Sequence, residues 1–171
     1  MGLNTELTSL KEEINQLNKE AENKAKKGIY KSATHMFNSY PGLEKIIWSQ
    51  YTPSFSDGDP CYFSINTPSF IFAAKHIEDD EDLDEDEDNC PYLSPPSYAY
   101  EEKEYYKDWV DQWEQLDVEK RNLYTNYAED THSLRTFLSK LGNILMRLYG
   151  DGVKVTITRR GVEIIDYYKD L

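Results

Sequence analysis

Leu3, Leu7, Leu10, Ile14, Leu17 and Ala21 recur at alternating spacings of four and three residues, with Glu, Lys, Gln and Asn filling most positions between them. Two apolar positions in seven make a coiled-coil seam, narrower than the face a helix usually turns to a globular core. The spacing predicts a helix over 1–28. Glu12 and Glu13 precede Lys24, Lys26 and Lys27, the order the helix dipole favours, and Gly28 stands where a C-terminal glycine would end the helix. Leu3, Leu7, Leu10, Ile14 and Leu17 are therefore candidates for self-association. A second, shorter helix is predicted from Ile29 to Tyr40, stopped by Pro41-Gly42.

The apolar pattern then changes character. Ile47 to Tyr51 and Cys61 to Ile65 are rich in aromatic and β-branched residues, as strands are, and Asp57-Gly58 and Asp59-Pro60 between them are turn signals. Asn66-Thr67-Pro68 turns the chain again before a short strand at Phe70-Ile71-Phe72. Helical spacing resumes near Tyr105, with Trp109, Val110, Trp113 and Leu116 on one stripe. A longer helix follows, with Leu134, Leu138, Leu141, Leu145 and Leu148 on a face widened by Phe137 and Ile144 and closed by Gly150. Val153, Val155 and Ile157 alternate with Lys154, Thr156 and Thr158, Arg159-Arg160-Gly161 turns, and Val162 and Ile164 return. Two hairpins separated by helices predict an α+β fold, an antiparallel sheet with helices on one face plus the long N-terminal heptad helix. The chain divides into that helix, 1–28, and a single α+β domain, 29–171.

Charge alters this picture at one place. The formal charge of −13 suggests a nucleic-acid mimic, but ten of the 32 acidic residues lie between 78 and 88, leaving 22 against 19 basic ones. Glu78, Asp79, Asp80, Glu81, Asp82, Asp84, Glu85, Asp86, Glu87 and Asp88 repel one another, and Pro91, Pro95 and Pro96 follow. The segment at about 77–104 reads as a mobile acidic insertion whose second half Tyr92, Tyr98 and Tyr100 could dock. No register of the run puts glycine sixth and glutamate twelfth as a calcium loop needs, so no metal is expected. The acids are instead candidates to engage a partner with a basic surface, in place of a phosphate backbone. Clustered Lys and Arg are sparse outside the first helix, which argues against direct nucleic-acid binding.

Candidate chemistry is thin. The chain shows no phosphate loop, dinucleotide fingerprint, Cys-x-x-Cys pair or zinc-protease helix, so no cofactor is expected. The loop Asp57-Gly58-Asp59-Pro60-Cys61 could house an enzyme site. Cys61 would need a base, however, and His35, His76 and His132 fall in three separate contexts. A structural turn, with Gly58 supplying the positive φ and Cys61 buried at a strand start, is the stronger account. No stretch approaches the roughly 20 apolar residues of a membrane span. Met1-Gly2 lacks the Ser or Thr that acylation wants at Glu6, and two cysteines make no disulfide framework. A cytoplasmic location is expected.

The run from Trp48 to Ile65, WSQYTPSFSDGDPCYFSI, resembles a segment of small, mostly uncharacterised bacteriophage accessory proteins, in which a W-x-Q-Y-T-P-x-F-N-D-G-D-x-C-x-F pattern precedes an acidic loop. The segment Tyr149 to Glu163, YGDGVKVTITRRGVE, is similar to a C-terminal hairpin of the same proteins. Ser56 stands here in place of the asparagine. The resemblance implies an accessory protein used against host enzymes or defence systems. The expectation is thus a non-catalytic protein that binds and inhibits a host nucleic-acid-handling or defence protein. Trp48, Tyr51, Phe55 and Tyr62 would be its aromatic anchors, since aromatics dominate interface hot spots. An enzyme at the Asp57–Cys61 loop and an assembly protein oligomerising through the first helix are the alternatives.

Overall fold

The computed structural model describes residues 3–53, 61–73, 90–93, 95–96 and 107–166. One helix, α1 (Leu3–Ser39), carries both the apolar stripe and the segment expected to be a separate helix. Its 37 residues make a rod of about 55 Å. Gly28 is therefore no cap. A Cβ at that position would lie 2.8 Å from Cζ of Phe137, so the missing side chain makes room for an aromatic ring rather than for a helix end. The helix stops at Ser39 instead, where Pro41 follows and Gly42 takes φ 95°, a conformation that costs other residues about 1–2 kcal/mol.

Strand β1 (Leu43–Tyr51) follows at once and runs through the middle of the sheet. One of its edges is lined by β3 (Ser69–Phe72) and then β2 (Ser64–Ile65), two pieces of an edge interrupted at Asn66-Thr67-Pro68. Its other edge pairs with β4 (Val153–Thr158), which in turn pairs with β5 (Gly161–Asp166) through the two-residue turn Arg159-Arg160. All pairings are antiparallel. A register shift between Leu43 and Lys45 lets Leu43 face the same way as Ile46, Trp48 and Gln50, which strict alternation would forbid. The opposite face stays mixed, with Lys45, Ser49 and Glu163 beside Ile47 and Ile71.

The helices cover one face of the sheet, as expected. After α2 (Lys107–Glu114), Asp117 caps α3 (Val118–Leu141) by accepting from the Lys120 amide at 2.7 Å. The leucine run expected to form one helix ending at Gly150 is broken at Gly142, φ 36° and ψ −116°, and restarts as α4 (Asn143–Tyr149). Leu138 and Leu145, on either side of the break, are both fully buried, so the pattern continues across a kink it does not reveal. The core joins Ile29, Met36 and Phe37 of α1 to Ile46, Trp48, Phe70, Phe72, Val155 and Ile157 of the sheet. Tyr92 returns the chain to this core after the acidic run. Its ring meets Tyr40, Phe72, Tyr124 and Tyr127 at centroid distances of 4.7–5.6 Å.

Candidate functional site

The two halves of α1 have different surroundings. From Ala25 onward Ala25, Ile29, Ala33, Met36 and Phe37 are buried against the domain. Glu22 marks the point of departure, accepting from Arg147 Nε of α4 at 2.8 Å. At the other end Arg159 donates to the Phe37 carbonyl and lies over the Phe37 ring, supplying a cation where the helix dipole is negative. Beyond Glu22, toward the N-terminus, α1 projects as an arm. Leu3, Leu7, Leu10, Ile14 and Leu17 are 70, 54, 51, 58 and 58% exposed, all on one stripe. Single exposed apolar residues are ordinary on a protein surface, whereas five in a row on one helix face make a candidate contact surface. The docked half supplies the helical nucleus, the costly step in helix formation, which lowers the cost of extending the helix into the arm.

The aromatic anchors divide. Trp48 is 1% exposed and sits in the core, so it cannot meet a partner: its ring packs edge-on to Tyr149 and its indole N–H donates to Gln50 Oε1 at 3.1 Å. Gln50 is itself fully buried and donates to the carbonyls of Leu145 at 3.1 Å and Gly150 at 2.6 Å. Two residues on, the Thr52 amide donates to Asp151 Oδ1 at 2.7 Å. The stretch from Trp48 to Thr52 and the chain from Leu145 to Asp151 thus meet as a clasp holding α4 and β4 to β1. That role is structural, and it needs those residue types: an amide that both accepts and donates, and an indole to fill the space. Tyr51 is half-buried on the open face of the sheet, and Tyr62 is 74% exposed. Phe55, Asp57, Asp59 and the acids from Glu78 to Asp88 lie outside the described residues. Cys61, expected to be buried, is exposed.

One polar cluster was not legible in the chain. His35 Nε2 lies 2.9 Å from Asp130 Oδ2, Tyr40 O–H donates to the same oxygen at 2.6 Å, and Ser39 Oγ is 3.5 Å from His35 Nδ1. Burial and then the Asp130 carboxylate push the Tyr40 phenol well above its usual range. The cluster borders a groove of about 480 Å³ between α1 and α3, where Lys31, Ser32 and Ser133 surround Leu134 and Phe137. Serine, imidazole and carboxylate in sequence invite an acyl-transfer reading. The polarity of the site opposes it. Ser39 is the last residue of α1, so the helix presents carbonyls where a developing oxyanion would need N–H donors. The contacts fit a pin that fastens the end of α1 to α3.

Among the described residues no three or more His, Cys, Asp or Glu side chains gather to hold a metal ion, and no helix is long and apolar enough to cross a membrane. Comparison with protein-family models, curated proteins and solved structures finds no match.

Proposed function

We propose that this protein is a non-catalytic, self-associating accessory protein, in which the α1 arm pairs copies and the α+β domain is the head presented to a partner. The exposed stripe from Leu3 to Leu17 carries the reading, because burying it needs another apolar surface and the head already covers only the other half of the same helix. In light scattering at about 10–100 μM, the range in which weak pairs form, the full chain is a dimer or larger. Leu10→Ser with Leu17→Ser yields a monomer whose head melts as before. A full-length monomer across that range overturns the proposal.

The phage resemblance and the charge of residues 78–88 support a partner that is a host protein with a basic surface, engaged in the cytoplasm and competed away from nucleic acid. Free thiols at Cys61 and Cys90 suit a reducing compartment. Charge mainly sets association rates. Replacing Glu78 to Asp88 by a neutral Gly/Ser linker should therefore slow binding to such a partner and flatten its salt dependence. Rates that stay the same across a salt series would retire the charge-mimic part and leave the assembly part standing.

A further inference from the structure

The arm's polar positions say how two copies lie. With Leu7, Ile14 and Ala21 at the first core position of each heptad and Leu3, Leu10 and Leu17 at the second, the residues flanking the seam fall into two rows. The row before the first core position is Glu6, Glu13 and Glu20; the row after the second is Asn4, Lys11, Asn18 and Ala25. In a parallel pair each row faces the other row of the partner, one heptad along, so Glu6 of one copy meets Lys11 of the other, twice by symmetry. In an antiparallel pair each row faces itself, and three glutamates oppose three glutamates along the whole overlap. Like charges at such positions set partner orientation by repulsion as well as attraction. Core composition adds less: leucine fills all three second core positions, as in two-stranded coils, but of the first positions only Ile14 is β-branched.

The seam also has a natural end. Ala21 is half-buried where the head begins, and the next core position is Lys24, which is exposed and ill-suited to an apolar contact. We infer that the α1 arm is a parallel, in-register, two-stranded coiled coil with a second copy of this chain, limited to residues 3–21 and flanked by Glu6–Lys11 pairs. This rests on the self-association proposed above. Its consequence is that both heads leave the coil at the same end, so that one dimer offers two copies of the head to a partner and binds it with the avidity of a linked pair.

Two variants of the full chain decide the orientation. Leu3→Cys and Ala21→Cys chains are mixed in equal amounts, oxidised, and their disulfides mapped by peptide mass with the native thiols retained. Parallel pairing puts the Cα atoms at position 3 within disulfide reach, whereas antiparallel pairing separates them by roughly 27 Å. The expected product is a 3–3 link at least tenfold above a 3–21 link. A dominant 3–21 link, in a sample still dimeric by light scattering, overturns the orientation and leaves self-association intact; a monomeric sample overturns both. Charge gives an independent sign. Glu6→Lys weakens a parallel dimer severalfold and Glu6→Lys with Lys11→Glu restores it, while an antiparallel dimer would tighten on the single change.

Discussion

The two ends of α1 are one helix in two situations. Residues 25–39 and residues 3–21 both repeat apolar side chains at helical spacing. The first set is buried beneath a sheet and two helices, and the second is bare from Leu3 to Leu17. The difference lies in the width of the pattern. Ile29, Ala33, Met36 and Phe37 spread around the helix as a face for a curved core, while Leu3 to Leu17 keep to the two-in-seven seam that fits another helix. Apolar periodicity therefore says that a face must be covered, and its breadth says by what kind of surface.

The contrast can be broken most severely in the head. Trp48→Ala should cost about 3–5 kcal/mol in urea unfolding, since it empties a core site, whereas Leu10→Ser in the arm should leave the head's unfolding unchanged. Equal losses from both would mean that the arm belongs to the core after all. Gln50→Leu comes next. It keeps the volume but leaves the indole N–H and two carbonyls without their partner, for a loss of about 2–3 kcal/mol. Full retention of the melting temperature in that variant would show that the clasp is dispensable.

Gly28→Ala tests the border between the halves. An alanine inside a helix ordinarily gains about 1 kcal/mol over glycine, yet here its Cβ meets the Phe137 ring, and overpacking of that kind costs about 1–3 kcal/mol. The expected outcome is a lower melting temperature, and a rise would mean that Phe137 slides aside. The smallest effect belongs to Tyr149. Its buried hydroxyl has no hydrogen-bond partner, and burial, then Tyr30, push the phenol up from 10.0 to about 12. Tyr149→Phe should raise stability by up to about 1 kcal/mol. The neutral phenol is the form the fold favours, so its contribution is complete below pH 10 and is lost as pH rises through about 12. The wild type should thus lose more stability than the variant across that window, and parallel curves would count against a buried, orphaned phenol.

What could be read in advance follows the range of the interactions concerned. The helical spacing of residues 3–21 and the C-terminal hairpin are local patterns, visible within a few residues, and the structure has a helix and a hairpin there. Gly28 is ambiguous in the chain, because a glycine inside a basic, helical stretch signals equally a helix end or a close approach, and only Phe137, far along the chain, decides between them. Trp48 looked like an anchor because aromatics suit interfaces and cores alike; the distinction is made by Gln50, Leu145 and Tyr149 together. His35 and Asp130 meet across 95 residues, and neither has a local pattern that announces the other.

The central place of β1 also has a consequence for how the chain is made. Its later edge is closed by β4, and the bond from Gln50 to the Gly150 carbonyl spans 100 residues. At ordinary translation rates that interval lasts on the order of ten seconds, long compared with strand pairing. Throughout it the β4 side of Ile46, Ile47 and Trp48 has no partner yet, and an unpaired strand edge is a template for association. The ten carboxylates between 78 and 88 emerge within that same interval. A run of like charge thus follows close behind the waiting edge in the order of synthesis, where charge opposes association of neighbouring chains until the C-terminal hairpin closes the sheet.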